Sequence, residues 1–273
     1  MIVAILIVLG LCLGSFVNAL VWRLRQQESK TKHQKLSVIN GRSICPHCGH
    51  QLSAWDLVPV LSWLYLRGRC RYCHTAISWQ YPLVELAMAA VFALSYLFWP
   101  DDLGNNGQKL LLITWLASSV GLLALLVYDW HWMLLPNRIL YPTLLVSAAG
   151  RLAYIIFYAG DKPHNLALWA GSLAVASGIF SILYIVGRGR WIGFGDVRLG
   201  LVTGTLITSP SVAFLMIFLA ALMGTILAVP GILGGKLRLS QKLPFGPFLI
   251  TATGIAVLFG GQIVDWYQRL FLP

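Results

Sequence analysis

Stretches of about 20 apolar residues recur along almost the whole chain, and that repetition limits its fold more than any other feature. A stretch of this length spans the hydrocarbon core of a bilayer as a helix. In lipid only helices and closed barrels satisfy their backbone polar groups. The first stretch, Ile2 to Trp22, has neither the basic start nor the small-residue cleavage site of a signal peptide, so it reads as a retained helix. Further spans are expected near Tyr81–Trp99, Leu110–Tyr128, Ile139–Tyr158, Leu166–Gly187, Val197–Thr208, Ser211–Leu233 and Pro244–Val264. Only 11% of the residues are charged, against roughly 25% in soluble domains. The expected fold is therefore an all-α polytopic membrane protein of about eight transmembrane helices. No internal repeat is visible by eye.

The net charge of +11 would suggest nucleic acid in a soluble protein. Here the cations gather in particular loops, as the positive-inside rule requires, and no nucleic-acid partner is implied. Arg23, Arg25, Lys30, Lys32, Lys35, Arg42, Arg67, Arg69 and Arg71 lie between the first two spans. Arg188, Arg190 and Arg198 flank Asp196, and Lys236, Arg238 and Lys242 form a third cluster. Placing these loops in the cytosol puts the N-terminus outside and the turns at Asp101 and Asp161 outside. Val197 to Leu233 must then form a hairpin. Its first arm, about 12 residues, gives only about 18 Å of helix against a core of about 30 Å.

The polar segment 23–80 separates a first helix, 1–22, from a membrane core, 81–273. It has too few apolar residues to fold unaided and needs a staple. Cys45-Pro46-His47-Cys48 and Cys70-Arg71-Tyr72-Cys73 form two C-x2-C knuckles separated by 21 residues. Four thiolates at Cys45, Cys48, Cys70 and Cys73 would close a tetrahedral Zn2+ shell, which makes the metal structural. Two disulfides are the alternative, disfavoured in a reducing cytosol. His47, His50 and His74 are expected at the surface, and Cys12 in the core of the first helix's packing.

The chain has only nine acidic residues, and two of them stand beside apolar spans. They are Asp129, shortly before Leu135-Pro136, and Asp196, after Gly193-Phe194-Gly195. Charge near hydrocarbon is costly and usually functional. Two carboxylates sharing one proton can act as base and acid on a single water. The glycines would allow unusual backbone shapes and close substrate approach. The alternative is two interfacial loop residues, paired with Arg138 or Arg198. Arg151, inside a span, would snorkel outward or pair with an internal acid. Trp99, Trp130, Trp132, Trp191 and Trp266 read as an interfacial belt.

The chain resembles the type IV prepilin peptidases, GxGD-type membrane aspartyl proteases that also act as N-methyltransferases. The resemblance runs through Gly14-Ser15-Phe16-Val17-Asn18 with Arg23, Arg42-Ser43-Ile44-Cys45, both knuckles, Asp56-Leu57-Val58-Pro59, Arg67-Gly68-Arg69-Cys70, Tyr81-Pro82-Leu83-Val84-Glu85, Gly193-Phe194-Gly195-Asp196-Val197-Arg198 and Pro244-Phe245-Gly246-Pro247. It departs from the family at Asn137, where an acid is frequent, at Arg198, where lysine is frequent, and at Arg25, in place of proline. The resemblance implies a bacterial inner-membrane enzyme that cuts the basic leader from prepilins or pseudopilins of type IV pilus and type II secretion systems at the cytosolic face. Asp129 and Asp196 would be catalytic, supported by Gly193, Gly195, Pro136 and Arg198. It also implies methylation of the new N-terminus with S-adenosylmethionine, for which Gly14, Asn18, Arg23 and Glu85 are the candidates. Glu85 is equally an acid placed to suit a helix N-terminus. A channel or transporter would need polar groups deep within several helices, where this chain keeps its acids at the edges. A non-enzymatic scaffold would tolerate loss of both aspartates. A related intramembrane protease of other specificity would lack the cysteine segment.

Overall fold

The computed structural model describes residues 1–28, 42–234 and 244–271. Lys30, Lys32, Lys35, Lys236, Arg238 and Lys242, on which the charge argument partly rests, lie outside the described residues. Among the described residues the structure is helical, with two isolated bridges and no strand. Seven helices are long and apolar enough to cross a bilayer.

The chain divides into two compact units, Met1–Leu97 and Phe98–Pro273. In the first, α1 (Ile2–Glu28) continues six residues beyond Trp22 and packs along α3 (Gln80–Leu97). The contact depends on small residues. A Cβ at Gly10 would stand 2.6 Å from Ala89 Cα, and one at Gly14 would stand 2.6 Å from Glu85 Cα. Glycines four apart let two helix backbones approach within a membrane. Cys12 lies off this stripe and is exposed, so it is not the core residue expected. Between α1 and α3 lie the cysteine segment, a 3-10 turn (Ala54–Leu57) and the short α2 (Leu61–Tyr65).

The second unit is built on α4 (Asn106–Trp132), the most buried of the spans. Around it run α5 (Asn137–Phe157), α6 (Lys162–Val186), α7 (Phe194–Leu206), α8 (Pro210–Leu233) and α9 (Gly246–Phe271). Polar caps set the starts. Asn105 accepts the N–H of Gly107 at 2.8 Å and Asp161 that of His164 at 3.0 Å, while Ser209 precedes Pro210 at N1. The short arm expected near residues 197–208 is α7, whose 13 residues rise about 20 Å. Among the described residues it is the one helix of this unit too short to span a bilayer. It packs against α5, α6 and α9. Gly200 and Gly204 press on Ala176 of α6, and Thr205 Oγ1 bonds Ser147 Oγ of α5 at 2.6 Å.

Arg151 neither snorkels nor finds an acid. It is 5% exposed and lies over the Tyr154 ring, 5.5 Å from its centroid. Its position within α5, packed against α4 and α7, holds it inward. Trp130, Trp191 and Trp266 are exposed, as a membrane-interface role requires.

Candidate active site

Asp129 occupies the last turn of α4 and is 5% exposed. The helix stops four residues later because Met133 turns left-handed (φ 53°) and returns its N–H to the Asp129 carbonyl at 2.8 Å. Pro136 then caps α5, its carbonyl accepting the N–H groups of Ile139 and Leu140. Asp196 lies inside α7, at its third helical position rather than before the helix. Its carboxylate reaches back to accept the N–H of Gly193 at 3.3 Å. This is half of a capping box, with glycine supplying no reciprocal side chain. Gly246, at the start of α9, lies against both the Asp129 carboxylate and Leu199, one turn along α7 from Asp196, so the two aspartates fall at the same end of the bundle.

The glycines act through space rather than through unusual torsions. Gly193 is ordinary extended backbone (φ −75°), and Gly195 is helical. A Cβ at Gly195 would come 3.2 Å from Leu135 Cδ1, so the residue brings α7 against the loop after Asp129. Arg198 does not pair with Asp196. Its guanidinium bonds the Asn137 side-chain oxygen and lies over the Phe194 ring, 5.1 Å from its centroid. Two departures from the family pattern, Asn137 and Arg198, thus touch each other: an amide oxygen meets a guanidinium where an acid would meet a lysine.

Gly246 has a role that the sequence did not disclose. This first residue of α9 lies against the Asp129 carboxylate. A Cβ here would fall 2.6 Å from Asp129 Oδ2. Gly246→Ala is expected to displace that carboxylate and lower kcat for peptide cleavage by about 10- to 100-fold, with normal accumulation in membranes. Steady-state cleavage kinetics check this, and a rate within twofold of wild type would refute it.

The four cysteine sulfurs all lie within 4.8 Å of one another. Cys45 and Cys73 Sγ are 3.9 Å apart. Tetrahedral Zn–S bonds of about 2.3 Å place sulfurs about 3.8 Å apart, so the donor set fits one such ion without disulfides. Cys73 Sγ donates to Thr75 Oγ1 at 3.3 Å, and hydrogen bonding with Thr75 draws the Cys73 thiol down to about 6. The cluster also reveals a repeat not visible by eye. Bridges pair Ile44 with Gln51 and Arg69 with Ala76, and matching left-handed turns fall at Gly49 and His74. Each knuckle is therefore the same small hairpin, sharing little but its cysteine spacing. His47, His50 and His74 are exposed. Asp56 ties the 3-10 turn to the second knuckle, accepting from Ser53 Oγ at 2.8 Å and from Arg71 Nε at 2.7 Å. Despite burial, these partners hold its carboxyl below the usual range.

Asn18, Arg23 and Glu85 line one cavity of about 420 Å³ in the first unit, with Trp22, Trp63 and Tyr81. Asn18 Nδ2 donates to the Tyr81 carbonyl at 3.1 Å. Glu85 lies beyond the first turn of α3, so the helix dipole does not account for it. It accepts the N–H of Val60 at 2.7 Å. Val60 is a β-branched residue held at φ 60°, a strained conformation typical of functional sites. Gly14 does not line the cavity. Its small size serves the α1–α3 contact.

One buried and one partly exposed carboxylate at one end of a helical bundle, with a four-cysteine cluster in the first unit that could hold a metal ion, fit a membrane-embedded peptidase with a cysteine-bearing accessory segment. The chain belongs to the type IV leader peptidase family. Residues 8–99 match the bacterial peptidase A24 N-terminal domain, and residues 116–229 match the type IV leader peptidase family. The prepilin leader peptidase/N-methyltransferase of Stutzerimonas stutzeri is 31% identical over 96% of this chain and 92% of its own length. That of Bacillus subtilis is 31% identical over 98% and 99%, and that of Pseudomonas aeruginosa 32% identical over 96% and 92%. No solved structure matches the chain.

Proposed function

We propose that this prepilin peptidase is an aspartyl endopeptidase whose catalytic pair is Asp129 and Asp196. The observation that carries this reading is the placement of the pair, Asp129 on the last turn of α4 and Asp196 on the first turn of α7, with Gly246 packed against both the Asp129 carboxylate and Leu199 one turn beyond Asp196. The helix ends divide their roles. A helix N-terminus favours an anion and a C-terminus disfavours one. Asp196 is then the ionised base and Asp129 holds the shared proton. Asp196 takes a proton from water, whose oxygen attacks the scissile carbonyl carbon while Asp129 protonates the carbonyl oxygen. The tetrahedral intermediate collapses as Asp196 returns its proton to the leaving amine, breaking the C–N bond, and the carbonyl oxygen gives its proton back to Asp129.

The substrate is a prepilin or pseudopilin whose basic leader lies at the cytosolic face of the inner membrane and whose apolar helix stays in the bilayer. Exposed Arg42, Arg67, Arg69 and Arg71, and Arg188 and Arg190 before Asp196, support that orientation. Cys45, Cys48, Cys70 and Cys73 hold a structural Zn2+. The cavity bounded by Asn18, Arg23 and Glu85 is of a size that accepts a small molecule. These residues would hold S-adenosylmethionine, which supplies an activated methyl group when bound. Glu85 presents a carboxylate there that can take a proton from the new N-terminal ammonium.

Purified enzyme incubated with a prepilin, with and without S-adenosylmethionine, tests both activities by intact mass. Leader loss is expected in both samples and the gain of one methyl group only with the cofactor. An intact prepilin in both samples would sink the peptidase reading, and cleavage without methylation would sink only the transferase.

A further inference from the structure

A second cavity, of about 210 Å³, lies in the second unit at the end away from the aspartates. Its wall includes Gln108 and Thr114, early in α4, whereas Asp129 is in the last turn of that helix. It also includes Thr205 and Leu206, the last residues of α7. The hollow therefore falls where a full-length α7 would have continued across the bilayer.

Arg151 lines this cavity and is 95% buried, being 5% exposed. Its Nε has no partner, and its guanidinium makes no hydrogen bond or ion pair among the described residues. The Tyr154 ring lies beneath it, its centroid 5.5 Å away. A buried cation without an opposing charge is costly in a membrane bundle. Among the other polar groups of the wall, Gln108 keeps donors unspent. Gln108 Oε1 already accepts from Trp99 Nε1 at 3.2 Å, which leaves its amide N–H groups. The Thr114 and Ser147 hydroxyls donate to carbonyls of their own helices. Asp101 is also on the wall, exposed and not paired with Arg151.

From this unpaired guanidinium and the unspent amide N–H groups of Gln108 on one cavity wall, we infer that the hollow beyond α7 binds a phosphate oxyanion. A guanidinium recognises phosphate through paired N–H groups. The source can be the headgroup of an anionic phospholipid or free inorganic phosphate. The site is remote from the aspartates, so its occupancy supports the fold of the second unit and not the cleavage step.

Thermal unfolding of the delipidated full-length protein in detergent tests this, with phosphatidylglycerol, inorganic phosphate or phosphate-free diacylglycerol added. Phosphatidylglycerol is expected to raise the midpoint by about 5 °C at a hundredfold excess over Kd. Diacylglycerol should not. Equal protection by inorganic phosphate would support the site and identify the free ion as its source. Arg151→Gln should abolish the shift, and Arg151→Lys should keep less than half of it. If Arg151→Gln fails to fold, Gln108→Ala serves in its place and should halve the shift. No shift in wild type from either phosphate source would overturn the proposal, as would an undiminished shift in the variants. So would a double-mutant cycle in which Asp101→Asn and Arg151→Gln destabilise equally and not additively, which would mark an internal ion pair.

Discussion

Asp129→Asn and Asp196→Asn each reduce prepilin cleavage by at least about 10³-fold, while both proteins insert and accumulate as wild type does. The size follows from the chemistry. Removing a general acid or base from a positioned site costs typically 10²- to 10⁴-fold, and here each carboxylate serves in both halves of the reaction. Insertion survives because asparagine keeps the shape of each side chain. At position 129 an amide fills the same space against Gly246, and at 196 it can still accept the Gly193 N–H. The loss is therefore one of proton transfer and not of folding. Cleavage kinetics on purified variants, beside membrane yield, measure it. Residual activity above a few per cent in either variant would show that the carboxylate is not part of the machinery.

Cys45→Ser or Cys70→Ser unfolds the segment between α1 and α3, and prolonged chelation does the same to the wild type. Structural zinc in small modules contributes about 10–16 kcal/mol of folding free energy, far more than this segment can recover from its few buried side chains. Cys45 and Cys70 are the two buried sulfurs of the set. Apart from the metal, the segment is held by short hairpin bonds and by the Asp56–Arg71 pair, which is partly exposed and worth little. Metal content should fall from about one zinc per chain to near zero. Amide exchange over residues 42–79 should become fast, and methylation should cease because Val60 and Arg71 help to shape the Asn18–Glu85 cavity. Cleavage, carried by residues of the second unit, should fall far less. Protection of residues 42–79 that persists without metal would refute the staple.

Local sequence carries local physics, and the site was legible to that extent. Apolar runs gave the spans, and the shortness of α7 was readable because a hairpin arm of about 12 residues cannot cross about 30 Å. Asp129 and Asp196 stood out because acids are rare in this chain. The cysteine spacing announced one tetrahedral donor set. What stayed hidden depends on contacts across the sequence. Nothing in Pro244-Phe245-Gly246-Pro247 says which carboxylate it will lie against 117 positions away. Gly14 looked like a site residue because it opens a motif, yet its place is against the backbone of α3. Arg151 looked like a snorkelling residue because its helix end is near, but packing against α4 and α7 decides its direction. The doubled knuckle escaped notice because backbone pairing, and not side-chain identity, makes the two halves alike.

In the proposed mechanism, positions 129 and 196 work as one unit on one water molecule. Single-turnover cleavage by the two single Asn variants and the double variant tests this most directly, because groups that act together are not additive when removed. The double variant is expected to cleave no more slowly than the slower single variant, within about threefold. A double variant slower than either by the product of the two single losses would mean that the carboxylates act independently, and would contradict the shared-proton mechanism.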